Sequence, residues 1–276
     1  MADNKPFAKP AVCCLVLAAL AFSVCNRETP AERLRRNALH RLEEEIDIQR
    51  RLTDPEKRAL ALSQSATTWS VFQRDAFMDS VFQDAYWSGC GVKPLNRQYH
   101  VLSQILGGMQ IADLHERAFE LAGSHSDTWL RGKLLCGVAL RLDDRTDVEF
   151  STVIRLALAS AESDTNLIHR NETRICAARA FLKKGDDRQA LQLAKLAETE
   201  ALTIKNVWFT PTPDRYGYGT ARYLFDALVY VYAKAGRKDM AIRFIRSLGD
   251  EKMRMDLESH LHRYTRNQHA GIETNE

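Results

Sequence analysis

The residues best suited to making specific contacts cluster in one segment, Asn206 to Arg222. Connections between helices are usually only about 2–8 residues long, and longer ones are often functional. Aromatic rings and guanidinium groups carry much of the binding energy in protein interfaces. We therefore predict that this segment anchors a partner, or alternatively that its rings cover the end of a helical stack. The side chains concerned are Trp208, Phe209, Arg215, Tyr216, Tyr218 and Arg222.

The remaining residues with chemical potential do not form a recognisable active site. His260 and His262 are two positions apart, which places them on different helix faces and disfavours a shared metal ion. Gly107 to Ile111 resembles a fragment of lytic transglycosylases, but no glutamate between Glu56 and Glu116 could act as the general acid. We predict no catalytic residues, no cofactor and no metal, with an enzyme of unrecognised site as the alternative.

The N-terminus has the organisation of an export signal. Lys5 and Lys9 precede an apolar run from Ala11 to Val24, and a polar stretch follows Cys25. This run is shorter than the roughly 20 residues that a membrane-spanning helix needs. Its length fits the apolar region of a secretory signal, about 7–15 residues. Segment 1–25 is therefore predicted to direct export, the alternative being an uncleaved anchor or a buried helix.

Phe22 to Cys25 resembles the lipobox of bacterial lipoproteins. The resemblance implies that Cys25 becomes lipid-modified and is the first residue of the mature protein. Cleavage after Ala19-Leu20-Ala21, without a lipid, is the alternative. Both routes imply a location in the bacterial cell envelope, membrane-anchored or periplasmic.

Composition favours an all-α fold and argues against nucleic-acid binding. Alanine and leucine, which favour helices, far outnumber the β-branched valine and isoleucine, which favour strands. The 39 Lys and Arg residues nearly balance 36 Asp and Glu residues, and the two signs are interspersed. A nucleic-acid-binding domain would carry a basic stripe or patch. We predict a helical protein without a nucleic-acid partner.

Short motifs recur along the second half of the chain. Asp113 to Ala118, Gly185 to Ala190 and Gly236 to Ala241 each place a polar turn five residues before an alanine. Asp127 to Leu134 also aligns with Asp250 to Leu257, at the same offset of 123 residues that separates the first and third turns. Glycine adopts positive φ cheaply at a helix end, and alanine lets two helices approach closely. The pattern predicts stacked helical hairpins.

These motifs resemble the tetratricopeptide-like family over about residues 98–265. The match is clearest for Ala177 to Ala190 and for Tyr230 to Ala241. Gly185 and Gly236 are 51 residues apart rather than at the family's 34-residue period, which predicts an irregular α-solenoid. The resemblance implies a right-handed superhelix and a binding role. An irregular α–α bundle remains the alternative, since helical patterning does not fix topology.

Four segments follow from these observations. They are the signal segment 1–25, N-terminal helices at 27–88, a helical-repeat domain at 96–265 and a flexible tail at 266–276. We expect Cys136 and Cys176 to be buried, because both lie on apolar helix faces. The predicted function is that of an exported, membrane-tethered helical-repeat protein that binds a protein or peptide. A regulator or immunity-type inhibitor of an enzyme or toxin in the envelope is the alternative.

Overall fold

The all-α prediction is confirmed. Over residues 28–142, 148–203 and 220–269, which the structure describes, the computed structural model contains twelve α-helices and no β-strand. The helices are α1 (Pro30–Arg50), α2 (Pro55–Phe72), α3 (Ala76–Cys90), α4 (Leu95–Ile111), α5 (His115–Ser124), α6 (Thr128–Ala139), α7 (Phe150–Ser163), α8 (Leu167–Lys183), α9 (Asp187–Thr203), α10 (Thr220–Lys234), α11 (Lys238–Ser247) and α12 (Glu251–His269).

Local sequence determines where several helices begin. The Thr29 hydroxyl accepts a hydrogen bond from the Glu32 amide, and the Glu32 carboxylate accepts one from the Thr29 amide, which forms a capping box at the start of α1. Asp54 caps α2 by accepting from two backbone amides, and Pro55 occupies the first helical position. Both α1 and α2 thus begin at a proline, a residue favoured at the first helical position.

The chain divides into two compact units, Met1–Ile48 and Gln49–Glu276. Most of α1 lies in the first unit, and α2 to α12 lie in the second. Within the described residues, no helix is long and apolar enough to cross a membrane. The signal segment 1–25 and its predicted lipid-attachment residue Cys25 lie outside these residues. Helix α12 ends at His269, inside the segment 266–276 that the sequence predicts as a tail.

In the second unit, the even-numbered helices pack against one another in chain order. α2 contacts α4, α4 contacts α6, α6 contacts α8, α8 contacts α10, and α10 contacts α12. The odd-numbered helices α3, α5, α7, α9 and α11 each contact the even-numbered helices before and after them. We call the even-numbered helices the inner row, because the groove described below lies along them.

The three repeated turns have the same backbone geometry. Asp113, Gly185 and Gly236 all have positive φ, with values of 60°, 77° and 70°. In each turn the next amide donates to a carbonyl five residues back, as in Leu114 to Met109, which is the Schellman pattern of a helix C-terminus. The alanines five residues on, at positions 118, 190 and 241, are fully buried. The repeat read from the sequence is therefore a repeated structural unit.

The second repeated motif is a helix cap. The Asp127 carboxylate accepts from the Leu130 amide at 2.9 Å, and the Asp250 carboxylate accepts from the Met253 amide at 2.7 Å. These contacts start α6 and α12, each the helix that follows a repeated turn and one short helix. The offset of 123 residues therefore relates two equivalent pairs of helices, α5–α6 and α11–α12.

One glycine marks a close approach between helices of the inner row. A Cβ atom at Gly132 of α6 would lie 2.7 Å from the Thr173 methyl group of α8 and 3.3 Å from the Ala157 carbonyl oxygen of α7. Real Cβ atoms are essentially never closer than 3.0 Å to such neighbours. Glycine is therefore what permits α6 to pack tightly against α8 and α7 at this level.

Candidate binding groove

A groove with a volume of about 720 Å³ runs along the inner row. Side chains from α4, α6, α8, α10 and α12 line it, so five helices that are remote in sequence contribute to one surface. Each of the first four helices contributes residues three or four positions apart, which lie on one helix face. The polar and aromatic side chains that the following paragraphs use are Tyr99, Lys133, Arg141, Glu172, Cys176, Arg179, Asp226, Tyr230 and Tyr264.

At the α4 end, the groove wall is aromatic and its charges are paired. The Trp129 ring stacks on His169 at 4.9 Å between centroids, and Tyr99 lies 6.1 Å from Trp129. The Trp129 indole N–H donates to the Glu172 carboxylate at 2.8 Å. The Lys133 ammonium lies 4.0 Å from the same carboxylate and 5.0 Å from the centre of the Tyr99 ring. These contacts fix Glu172, so its charge is already balanced by neighbouring donors.

At the opposite end, one carboxylate joins α10 to α12. Asp226 on α10 has an oxygen 2.6 Å from the His260 Nδ1 atom, and the Tyr264 hydroxyl lies 2.9 Å from both Asp226 oxygens. Burial and the bond to Asp226 raise the pKa of Tyr264. The Tyr264 ring meets Tyr230 edge-on at 5.2 Å. His260 therefore has a structural partner, whereas His262 is exposed, in keeping with their predicted placement on different faces.

Two thiols lie at the floor of the groove. Cys136 on α6 is fully buried, and Cys176 on α8 is 8 % exposed. The neighbouring Cys136, together with the positive charges of Lys133 and Arg179, lowers the pKa of Cys176 to about 6, against the opposing effects of burial and Glu172. The neighbouring Cys176 and burial raise the pKa of Cys136. The predicted burial of both cysteines is confirmed, and both are free thiols, as is Cys90.

Two arginines supply positive charge to the groove and have no carboxylate partner among the described residues. The Arg179 guanidinium lies over the Tyr230 ring at 5.1 Å, and Arg141 donates to the Gly137 carbonyl at 3.0 Å. Among the described residues, neither arginine forms an ion pair. Both residues are exposed, and the Arg141 guanidinium also lies beside Gly107 of α4. An anionic group entering the groove would meet two guanidinium groups with free N–H donors.

The six binding residues predicted from the sequence lie mostly outside the residues that the structure describes. Five of them lie outside the described residues: Trp208, Phe209, Arg215, Tyr216 and Tyr218. α10 begins at Thr220, so Arg222 lies in its first turn rather than in the preceding connection. The segment 204–219 directly precedes α10, which supplies Tyr223, Asp226 and Tyr230 to the groove.

Sequence reasoning did not identify the groove, although each helix carries a signal in retrospect. Glu172, Cys176 and Arg179 are four and three residues apart, on a helix that is otherwise mostly apolar and buried. Lys133 lies on α6 four residues before Gly137, and Arg141 lies just beyond the end of α6, four residues after it. Polar residues that are three or four positions apart, with buried residues between them, indicate a solvent-exposed helix face. Only the packing order of the helices shows that these faces meet.

The glycine pair at 107–108 has a packing explanation. Both residues lie inside α4, and a Cβ atom at Gly108 would come within 2.8 Å of the Thr67 hydroxyl oxygen.

Within the described part of the chain, no group of three or more His, Cys, Asp or Glu side chains is arranged to hold a metal ion. No protein-family profile matches the chain, and no curated protein or solved structure is significantly similar to it.

Proposed function

We propose that this chain is a helical-repeat binding protein, an irregular tetratricopeptide-like α-solenoid that holds an acidic segment of a partner protein in the groove. The observation that carries the proposal is the pair of groove arginines, Arg141 and Arg179, which have no carboxylate partner among the described residues. Binding rather than catalysis is the role we infer.

The order of helix contacts supports the solenoid part of this proposal. Three turns of identical geometry join α4 to α5, α8 to α9 and α10 to α11. Each even-numbered helix packs against the next, as a stack of hairpins requires. In such a stack one row of helices forms a continuous surface, and here that row lines the groove.

The charges of the groove support an acidic ligand. Its two carboxylates are engaged within the protein, Glu172 by Trp129 and Lys133, and Asp226 by His260 and Tyr264. Its arginines keep free donors, and exposed Tyr223 adds an aromatic surface at the α10 wall. Guanidinium groups bind carboxylates in a bidentate manner, and aromatic rings pack against the aliphatic parts of a peptide.

A peptide-display selection against the full chain tests this function. We expect enrichment of peptides rich in Asp and Glu, with affinity that falls as salt is raised. Double reversal of the groove charges, Arg141→Glu with Arg179→Glu, should weaken binding of a selected peptide at least about tenfold. Neutral or basic peptides among the selected sequences, or unchanged affinity after reversal, would contradict the proposal.

A matched control separates the groove from net charge. Arg188 on α9 and Arg246 on α11 are exposed and belong to odd-numbered helices. The double variant Arg188→Glu with Arg246→Glu changes the net charge by the same amount away from the groove. It should bind the selected peptide as the unaltered chain does. Equal weakening in both double variants would indicate a general charge effect and would count against the groove.

We also propose that the protein is exported and tethered to the membrane of the bacterial cell envelope through Cys25. The order of positive charge, apolar run and cysteine within residues 1–25 supports this address. Mass spectrometry of the processed N-terminus tests it. A diacylglycerol adduct on Cys25 is the expected result, and an intact Met1 on soluble protein would overturn it.

A further inference from the structure

We propose that Cys136 and Cys176 form a redox-reactive dithiol at the floor of the groove, in which Cys176 is oxidised by hydroperoxides and Cys136 then closes a disulfide. The proposal concerns the chemistry of the two thiols, and it does not depend on what the groove binds.

The first argument is the closeness of the two helices. A disulfide needs Cα atoms about 4.4–6.8 Å apart, which ordinary helix packing rarely allows. Here Gly132, one turn before Cys136, lets α6 approach the Thr173 side chain on α8 directly. The Cys136 sulfur lies 3.6 Å from the Thr173 carbonyl oxygen, one helical turn before Cys176. The two thiols also interact electrostatically across the same contact.

The second argument is that the two thiols differ in access and in charge environment. Cys176 is 8 % exposed and lines the groove, so a small oxidant dissolved in the groove can reach it. Cys136 is fully buried behind it, where it can react with Cys176 but is shielded from solvent. Lys133, one turn before Cys136 on α6, and Arg179, one turn after Cys176 on α8, place positive charge near the Cys176 sulfur. Cys136 lowers the pKa of Cys176 most and these two charges lower it further, whereas burial and Glu172 oppose them, so that the pKa is about 6.

These differences indicate that Cys176 reacts with the peroxide first and that Cys136 reacts second. The Cys176 thiolate attacks one peroxide oxygen, the O–O bond breaks, and the products are a sulfenic acid on Cys176 and a hydroxide or alkoxide ion, which takes up a proton. The Cys136 sulfur then gives up its proton and attacks the Cys176 sulfur. The S–S bond forms as the S–O bond breaks, and water leaves with the proton from Cys136. Two thiols lose two electrons, and one hydroperoxide gains them.

The chain contains its own reference thiol. Cys90 is the last residue of α3, is only partly buried, and is a free thiol like the other two. Burial raises the pKa of Cys90 to about 11, and it lines no part of the groove. A thiol that is more accessible but less ionised should therefore react more slowly, which separates the effect of charge from the effect of access.

The test is peroxide treatment of the full chain, followed by digestion without reduction and mass spectrometry of each cysteine peptide. At pH 7 hydrogen peroxide should give a Cys136–Cys176 disulfide while Cys90 stays reduced. In Cys136→Ser, Cys176 should accumulate as sulfenic acid, trapped by dimedone. In Cys176→Ser, Cys136 should remain unmodified. The proposal is overturned if peroxide produces no Cys136–Cys176 disulfide, or if it produces a disulfide between other cysteines instead.

The role of the positive charge is tested by alkylation rates. With iodoacetamide, the rate at Cys176 should rise through pH 6 and level off, whereas Cys90 should react slowly throughout the neutral range. Lys133→Met should slow the reaction of Cys176 at pH 7 about tenfold, and Lys133→Arg should restore it. Cys90 in the same molecule corrects for any general loss of structure. Equal rates at Cys176 and Cys90 at pH 7, or labelling of Cys176 only after unfolding, overturn the proposal.

Discussion

Asp113 and Gly236 have the same left-handed backbone conformation at equivalent turns, with φ of 60° and 70°. Nothing lies within 4 Å of a Cβ atom added at Gly236, so only the backbone penalises a side chain there. We expect Gly236→Ala to lower the free energy of unfolding by about 1 kcal/mol, because L residues are strained at positive φ. Urea denaturation measures this. Gly236→Asn, which tolerates this conformation better, should lose less, and equal losses would contradict the explanation.

Gly132 should be intolerant of substitution for a different reason. A methyl group there would collide with Thr173 on α8, so we expect Gly132→Ala to lower the free energy of unfolding by about 1–3 kcal/mol. Gly123 on α5 is the control, because an added Cβ meets nothing within 4 Å. Gly123→Ala should leave stability unchanged or raise it by up to about 1 kcal/mol. If both variants behave alike, α6 and α8 are not in the contact described.

Arg174 holds three helices together through buried charge. It is 5 % exposed and lies 2.7 Å from carboxylates of both Glu162 on α7 and Glu200 on α9. Arg174→Ala should lower the free energy of unfolding by at least about 2 kcal/mol, since it removes the guanidinium that both acids share. Arg174→Lys should recover only part of this, because an ammonium group cannot span both carboxylates in the same geometry.

An exposed pair provides the comparison for Arg174. Arg237 contacts Asp239 at 2.9 Å, and both side chains are largely exposed. Arg237→Ala should cost less than about 1 kcal/mol, as surface ion pairs generally do. Thermal and urea unfolding of the two alanine variants, measured side by side, check the difference. A loss at Arg237 as large as that at Arg174 would contradict the assignment.

Because the hydroxyl of Tyr86 is buried, we expect the folded protein to lose stability at alkaline pH. Its ring is 1 % exposed, its hydroxyl donates to the Leu121 carbonyl at 2.7 Å, and burial raises its pKa. In the unfolded chain a tyrosine ionises near pH 10, whereas folded Tyr86 keeps its proton. Its contribution to stability is therefore complete below about pH 10 and declines as pH rises above that value.

The Tyr86→Phe variant tests this dependence. It should be less stable than the unaltered chain at pH 8, by about 1 kcal/mol for the lost hydrogen bond. Between pH 9 and pH 11 its stability should fall less steeply. Tyr223→Phe, at a ring that is 58 % exposed, should keep the original slope. An unchanged slope in Tyr86→Phe would contradict the role of Tyr86.

The features predicted correctly from the sequence are those that local chemistry determines. A turn at Gly185 or Gly236 needs a residue that accepts positive φ, and the alignment of Asp127 with Asp250 reflects a shared helix cap, so a few neighbouring residues suffice to recognise them. Asp113 was aligned with the glycines by its context alone, and its φ confirms the alignment. The conformation of each of the three turns is determined by residues within one turn of helix.

The groove could not be predicted in this way because its residues meet only through packing. Tyr99 and Tyr264 lie at its two ends and are joined by no local pattern. On a single helix, a pair such as Glu172 and Arg179 has the same spacing as any solvated face. The prediction for the aromatic segment 206–222 rests on its unusual composition, and most of that segment lies outside the described residues. Unusual composition and convergence in space are independent properties, and only the second defines a groove.

The packing order of the inner row has a consequence for the register of any bound chain. Helices packed side by side lie about 8–10 Å apart, and an extended peptide advances about 3.3 Å per residue. Successive helices from α4 to α12 therefore repeat at the interval of every third residue of an extended ligand. Arg179 lies on α8, and Arg141 directly follows α6, its neighbour in this row. Two acidic residues of the ligand that are separated by two others would match these arginines. The spacing between helices of the inner row would therefore set the spacing between acidic residues in the ligand.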